Sequence, residues 1–238
     1  MSYFEYKGKR SDELGLFVQH GQTFPFPEKV VERNNEVDGL SEELIYDRGF
    51  YRNVIISFPV IAKPIPGCTV KEQIHEIVAY LYSSKDEPLY TPDDPAYYRM
   101  ATVTNAMEFV EHLEKVGEGV IEFSAQPHRR AYEGERVKTY TKFPATIYNP
   151  TFERSKPIMR LYGKGDFDVF INQQKMQFKG ITDYIEIDCK LLQGKRGAEN
   201  LSNKIFSYPF FNIPPGNNTI EASINVTKME IVPRWVNI

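Results

Sequence analysis

Residues 157–189 read PIMRLYGKGDFDVFINQQKMQFKGITDYIEIDC, and the alternation inside them is the strongest local signal in the chain. Ile185, Ile187 and Cys189 fall on one side, while Tyr184, Glu186 and Asp188 fall on the other. A period of two marks a strand with one buried face. Runs at Pro157 to Tyr162, Asp166 to Asn172, Lys175 to Phe178 and Tyr184 to Cys189 follow one another at the spacing of a β-sandwich. Between them, Gly163-Lys164-Gly165 and Asn172-Gln173-Gln174 have the chemistry of tight turns and predict hairpins.

The same reading extends toward the C-terminus. NIPPGNNTIEASINVTKMEIVPRWVNI, residues 212–238, reads as turn, strand, turn, strand. Ile220, Ala222, Ile224 and Val226 alternate with Glu221, Ser223 and Asn225, which predicts a core position for Ile224. Upstream, Val137 to Thr141 and Ala145 to Tyr148 are short strands. Pro, Gly and charge cluster at 126–135 (QPHRRAYEGE), where a domain joint is expected. Two domains follow, 1–130 and 136–238, in a chain whose 238 residues suffice for both.

The first half is strand-rich with one clear helix. Tyr3 to Lys7 and Leu14 to Gln19 read as strands around a polar turn, and Asn53 to Ala62 as a buried strand. Residues 20–40 predict a long loop or extended hairpin, with Val30-Val31 as strand. Thr69 is placed to cap a helix, with Glu72 completing a capping box. Val70, Ile74, Ile77, Val78 and Leu81 form the stripe this helix would bury. Asn105 to Val116 predicts a second, short helix capped by Asn105, and Gly119 to Gln126 a strand.

Composition removes several functions. With 29 basic and 32 acidic residues the net charge is −3, so the chain is not built to grip nucleic acid by bulk charge. The short basic run His128-Arg129-Arg130 sits beside the expected joint and reads as a solvated linker. Cys68 and Cys189 are isolated, which suits a reducing compartment and leaves no zinc-ligand spacing. The polar N-terminus lacks a secretion signal, no run is long and apolar enough for a membrane span, and a cytoplasmic site of synthesis is expected.

Chemistry-bearing motifs are sparse. His20, His75, His112 and His128 share no metal-ligand spacing. The stretch from Tyr162 to Asp166 lacks the length and the following helix of a phosphate loop. Asp166 and Asp168 lack the Gly and distal Glu of a calcium loop. No nucleophile elbow or Cys/His constellation is present. No catalytic, cofactor or metal role is expected, and the chain is not read as an enzyme.

Taken in order, the motifs resemble the distal tail (Dit) proteins of siphophages, also called phage tail component proteins. The matching segments are PIMRLYGKGDFDVFIN at 157–172, YIEID at 184–188, FFNIPPGNNTI at 210–220 and PRW at 233–235. Gly163, Gly165, Asp166, Asp188, Gly216, Asn218, Pro233 and Trp235 carry this signature, with structural roles. The first half agrees through YKGKRSDELGLFV at 6–18, the helix near 70, YYRMATV at 97–103 and EFSAQP at 122–127. Two segments depart: VVERNNEVDGL at 30–40 keeps only the Asp-Gly of the family's turn, and LLQGKRGAEN at 191–200 has no room for a carbohydrate-binding insertion.

The resemblance implies a mainly β fold with a minor α component. A β-sandwich-like, ring-forming N-terminal domain with one helix would precede a galectin-like C-terminal β-sandwich. It implies a homo-hexameric ring at the virion tail tip, assembled in the host bacterial cytoplasm. Partners would be the tail tube protein, a tail-associated lysin-type tip protein and receptor-binding proteins, with genome DNA passing through unbound. Neither a cofactor nor a membrane is implied. The alternative is a carbohydrate-binding module, for which Tyr162, Phe170 and Tyr184 are the candidate stacking aromatics.

Overall fold

The computed structural model describes residues 3–20, 25–34, 43–68, 70–105 and 117–238. The chain forms two compact units, Met1–Arg129 together with Ile238, and Arg130–Asn237. The described residues are mainly β with one α-helix, α1 (Val70–Leu81).

The first unit contains β1 (Glu5–Tyr6), β2 (Lys9–Arg10), β3 (Leu16–Val18), β4 (Lys29–Asn34), β5 (Leu44–Tyr51), β6 (Val54–Ala62), β7 (Glu87–Tyr90), β8 (Tyr97–Val103) and β9 (Glu118–Ala125). Its main path runs β2-β1-β7-β8-β9-β6-β3. The two ends of this path, β2 and β3, are joined only by the 3-10 turn Ser11–Leu14 and Gly15. Laid flat at ~4.8 Å per strand, the ends would stand roughly 29 Å apart. Even fully extended, the connection spans about 22 Å. The sheet must therefore curl until its edges approach each other.

The curl encloses a core built by alternation. Val54, Ile56, Phe58 and Val60 of β6 point inward, as do Ile121, Phe123 and Ala125 of β9. Phe4 and Tyr6 reach the same core, with Phe4 5.0 Å from Phe58 and Tyr6 5.1 Å from Phe123, ring centre to ring centre. The helix contributes Ile77, Tyr80 and Leu81 to this core. Val78, expected in its buried stripe, is exposed, and Gln73 and Tyr80 are buried instead. Both carry polar groups that find backbone partners: Gln73 Nε2 donates to the carbonyls of Leu14 and Lys63, and the Tyr80 hydroxyl to that of Lys9. Hydrophobicity alone does not register such satisfied polar side chains. Thr69 and the side chain of Val70 lie outside the described residues, as does the helix expected over 106–116. The Asn105 side chain bonds β9, its amide donating to Val120 O and accepting from Glu122 N, while the residues it was expected to cap lie outside the described ones.

The expected strand at Tyr3 to Lys7 is shorter, and its polar turn splits into β2 and the 3-10 turn. In the 20–40 region the hairpin expectation holds for β4, which pairs with β5 in a separate two-stranded sheet.

The second unit contains all but the first residue of β10 (Arg129–Ala131), and β11 (Lys138–Tyr140), β12 (Ala145–Asn149), β13 (Ile158–Gly163), β14 (Gly165–Ile171), β15 (Gln174–Ile181), β16 (Tyr184–Asp188), β17 (Gln193–Arg196), β18 (Glu199–Asn200), β19 (Gly216–Ala222), β20 (Val226–Val232) and β21 (Val236–Asn237). A six-stranded sheet, β11-β20-β13-β16-β17-β18, and a four-stranded sheet, β12-β19-β14-β15, make the sandwich. Their inward residues include Met159, Leu161, Ile185 and Ile187 from the first and Phe167, Val169, Ile171 and Phe178 from the second, all buried.

Two turn expectations are corrected. Asn172-Gln173 does close a hairpin between β14 and β15, but Gly163–Gly165 does not close one. β13 belongs to the six-stranded sheet and β14 to the four-stranded one, so this glycine pair is a corner where the chain changes layers. Tight turns and sandwich corners draw on the same residues, and the local sequence does not separate them.

The second correction concerns Ile224. β19 ends at Ala222 and β20 begins at Val226, and Ile224 sits in the turn between them, 97% exposed. Side chains on either side build this turn. Ser223 Oγ accepts from Asp168 N, and Asn225 Nδ2 donates to Asp166 O. Ile224→Asp is therefore expected to change stability by no more than about 0.5 kcal/mol, whereas Val226→Asp, at a buried site, should cost several. Equilibrium denaturation of the two variants checks the assignment.

Among the described residues no helix is long and apolar enough to cross a membrane.

Candidate docking surfaces

The eight signature residues occupy three separate structural joints. At the layer-changing corner, Gly163 leaves no space for a side chain: a Cβ there would stand 2.6 Å from Asn225 O and 3.1 Å from the Phe167 ring. Gly165 adopts φ +81°, and Asp166 Oδ1 accepts from Gly180 N across the irregularity in the β14–β15 ladder. At the second joint, Gly216 opens β19 at φ +86°. The buried Asn218 side chain donates to Pro214 O and Gly216 O and accepts from Asn172 Nδ2.

The third joint gathers Asp188, Pro233 and Trp235. Trp235 is fully buried and Pro233 is buried beside it. Arg234 between them donates from Nη1 and Nη2 to the two Asp188 oxygens, at 2.9 and 3.0 Å. Asp188 Oδ1 also accepts from the amides of Lys190 and Leu191. Burial alone would raise the Asp188 carboxyl, but Arg234 and these two amides outweigh it and hold the group below its ordinary value. A depressed carboxyl contributes stability that is present above about pH 4 and lost as pH falls through the folded-state value. The melting-temperature gap between the wild type and Asp188→Asn should therefore be widest near neutrality and shrink below about pH 4.

None of these joints presents reactive groups to a cleft. Among the described residues no three His, Cys, Asp or Glu side chains are grouped to hold a metal. A cavity of about 360 Å³ in the first unit is lined by Leu89, Thr91, Tyr97, Tyr98, Arg99 and Arg129, among others. Arg99 donates to the carbonyls of Gln126 and Pro127, and Arg129 bonds Asp94 at 2.7 Å while its guanidinium lies over the Tyr97 ring. These contacts brace the chain's own backbone and side chains.

The three candidate stacking aromatics do not share a face. Tyr162 and Tyr184 are cross-strand neighbours on the six-stranded sheet, 5.7 Å apart, whereas Phe170 lies on the four-stranded sheet. Cations flank each ring: Lys228 Nζ lies 3.9 Å from the Tyr162 centre, Arg160 5.5 Å from Tyr184 and Lys175 5.7 Å from Phe170. Arg160 bridges to both Glu186 and Glu230 and Lys195 to Glu186 across strands, with Lys228 pairing Glu230 along β20, which ties this surface into a charge ladder.

The apolar surface that composition did not foretell is the β4–β5 hairpin. Tyr46 is 67% exposed and Phe50 51%, and Leu44 and Ile45 are exposed with them. Ion pairs Lys29–Asp47, Arg33–Glu43 and Arg48–Glu32 hold the two strands in register. A two-stranded hairpin is marginal alone, and this one leaves its aromatics in water. Composition suggested a hairpin or loop over 20–40 with Val30-Val31 as strand, but β5 was not foreseen, and no pattern within a single chain tells that its aromatics stay exposed.

No family model and no curated protein matches the sequence. A match comes from solved structures: the crystal structure of the phage SPP1 Dit (gp 19.1) protein, described as a paradigm of the hub adsorption apparatus in phages infecting Gram-positive bacteria. The TM-score is 0.71 at 11% sequence identity, over 97% of this chain and 98% of that one. What the two proteins share across nearly their whole length is a fold, and the fold of this chain is that of a Dit hub protein.

Proposed function

We propose that this chain is a structural hub protein of a phage tail tip, in which six copies close a ring between the tail tube and the tip proteins. The exposed β4–β5 hairpin carries the proposal. Its aromatics and aliphatics are exposed among the described residues, and a ring supplies a cover, because each subunit offers one patch to a different patch on the next. The Dit fold over the whole chain supports the same reading. The first unit builds the ring, and the second, a galectin-like sandwich with its own core, serves as a spacer or docking body. The chain works by assembly and not by catalysis.

The charge is consistent with a passage for DNA. Six copies at −3 each give a ring of about −18, which does not retain a polyanion as a basic channel would. Host saccharide binding is disfavoured by the cations flanking Tyr162, Tyr184 and Phe170 and by their placement on two sheets. A glycan array is expected to show no binding.

The hairpin is tested by Tyr46→Ser with Phe50→Ser. Both side chains are exposed in the single chain, so the melting temperature of the subunit should hardly change, while sedimentation should shift from hexamer to monomer. A double variant that still forms the ring would remove the hairpin from the interface.

A further inference from the structure

At one end of the six-stranded sheet of the second unit, three stretches of chain converge. Cys189 N–H donates to Pro157 O at 3.0 Å, Ala131 N–H to Trp235 O at 3.0 Å, and Arg234 clasps Asp188. The convergence brings Arg130, Lys156 and Arg234 within electrostatic reach of Lys190, against one carboxylate, Asp188, which Arg234 already pairs. Desolvation pushes the Lys190 ammonium below its ordinary value, and Arg130, Arg234 and Lys156 push it the same way, with Asp188 opposing. Neither Lys156 nor Lys190 has a side-chain hydrogen bond or ion-pair partner among the described residues.

The turn between β16 and β17 adds apolar surface to this basic one. Leu191 is 63% exposed and Leu192 50%. Leu192 also adopts φ +56°, a left-handed conformation that glycine and asparagine take far more readily than leucine. The turn is held in place from beneath, since Asp188 Oδ1 accepts from the amides of both Lys190 and Leu191. Two leucines here add nothing to the core, and one of them strains the backbone. Folding does not account for them, and departures of this kind concentrate where a surface is used.

We propose that the Lys190–Leu192 turn, with Lys156 beside it, is a docking site for a protein segment that carries apolar side chains flanked by carboxylates. The two leucines are the apolar anchor, and Lys156 and Lys190 meet the carboxylates. The held turn lowers the ordering cost of binding. The occupant is a protein segment and not nucleic acid, because exposed leucines offer nothing to a phosphate backbone. This site is separate from the ring hairpin, and its outcome does not depend on whether the ring forms.

The test uses full-length protein and a fluorescein-labelled peptide, Glu-Glu-Leu-Leu-Glu-Glu, read by fluorescence anisotropy. Saturable binding is expected. It should weaken at least about tenfold in Lys156→Glu with Lys190→Glu, and again in Leu191→Ser with Leu192→Asn. It should also weaken as salt rises from about 0.05 to 0.5 M. The single variant Leu192→Asn separates binding from folding: its melting temperature should hold or rise as the left-handed strain is relieved, while peptide affinity falls. No saturable binding by the wild type at millimolar peptide overturns the proposal. So does equal affinity for Lys-Lys-Leu-Leu-Lys-Lys, which would mean unspecific apolar contact. Equal affinity for Glu-Glu-Ser-Ser-Glu-Glu, or a preference for a short DNA duplex, overturns it as well, because either marks a general polyanion patch.

Discussion

Trp235→Ala is expected to destabilise the second unit by about 3–5 kcal/mol, the range for deleting a fully buried large aromatic. The site has little means to collapse. Gly134 packs directly on the Trp235 backbone, and a Cβ there would stand 2.9 Å from Trp235 Cβ and closer still to its amide nitrogen. The backbone on both sides is fixed, with Ala131 N–H donating to Trp235 O and Arg234 N–H to Gly134 O. The loss should appear as an early transition in chemical denaturation, well separated from that of the first unit. Trp235→Phe is expected to be much milder, roughly 1–2 kcal/mol, because it removes volume but no hydrogen bond. The buried indole N–H finds no acceptor among the described residues. A phenylalanine variant as damaged as the alanine one would show that the indole nitrogen matters in a way the packing does not explain.

Gly15→Ala should strike the first unit about as hard, by about 3 kcal/mol, combining a left-handed backbone with a steric conflict. Gly15 has φ +72°, and a Cβ on it would lie 2.5 Å from Gln73 Nε2 and closer to Lys63 O. Neither neighbour can yield cheaply. Lys63 N–H donates to Gly15 O, and the Gln73 amide donates to both Leu14 and Lys63 carbonyls, so moving it strands buried acceptors. Gly8 is the control. It has a similar φ of +73° but open space around it, and Gly8→Ala should cost only the conformational part, about 1 kcal/mol. Equal losses at the two positions would mean that the close approach of Gln73 and Lys63 to Gly15 is not a constraint.

The parts of this fold that were legible in the sequence are those where one physical rule acts alone. β9 and β16 alternate, so period two located them, and β6 was legible as an apolar run rich in β-branched residues. α1 has a continuous apolar stripe, so period 3.6 located it. The failures come where two rules share one signature. Gly163–Gly165 has hairpin chemistry and serves as a corner between layers, a distinction set by pairing partners far away in the chain. Ile224 continues an alternation that Ser223 and Asn225 interrupt with side-chain bonds to Asp168 and Asp166. Those two polar residues were the available signal, and the Ile between them masked it. Val78 lost its place in the core to Tyr80 and Gln73, whose polar ends reach backbone carbonyls that only the folded chain brings near. The docking surfaces were the least legible. An uncovered Tyr46 and a covered Tyr6 are the same residue in sequence, and only the sheet path separates them.

The central claim is that the first unit closes a ring through the β4–β5 hairpin. The most direct measurement is the native mass of the full-length protein in solution. Six copies of a 27.6 kDa chain predict a single species of roughly 166 kDa, with class averages showing a closed ring around an open channel. A 27.6 kDa monomer that persists to the highest concentration at which the protein stays dispersed would contradict it.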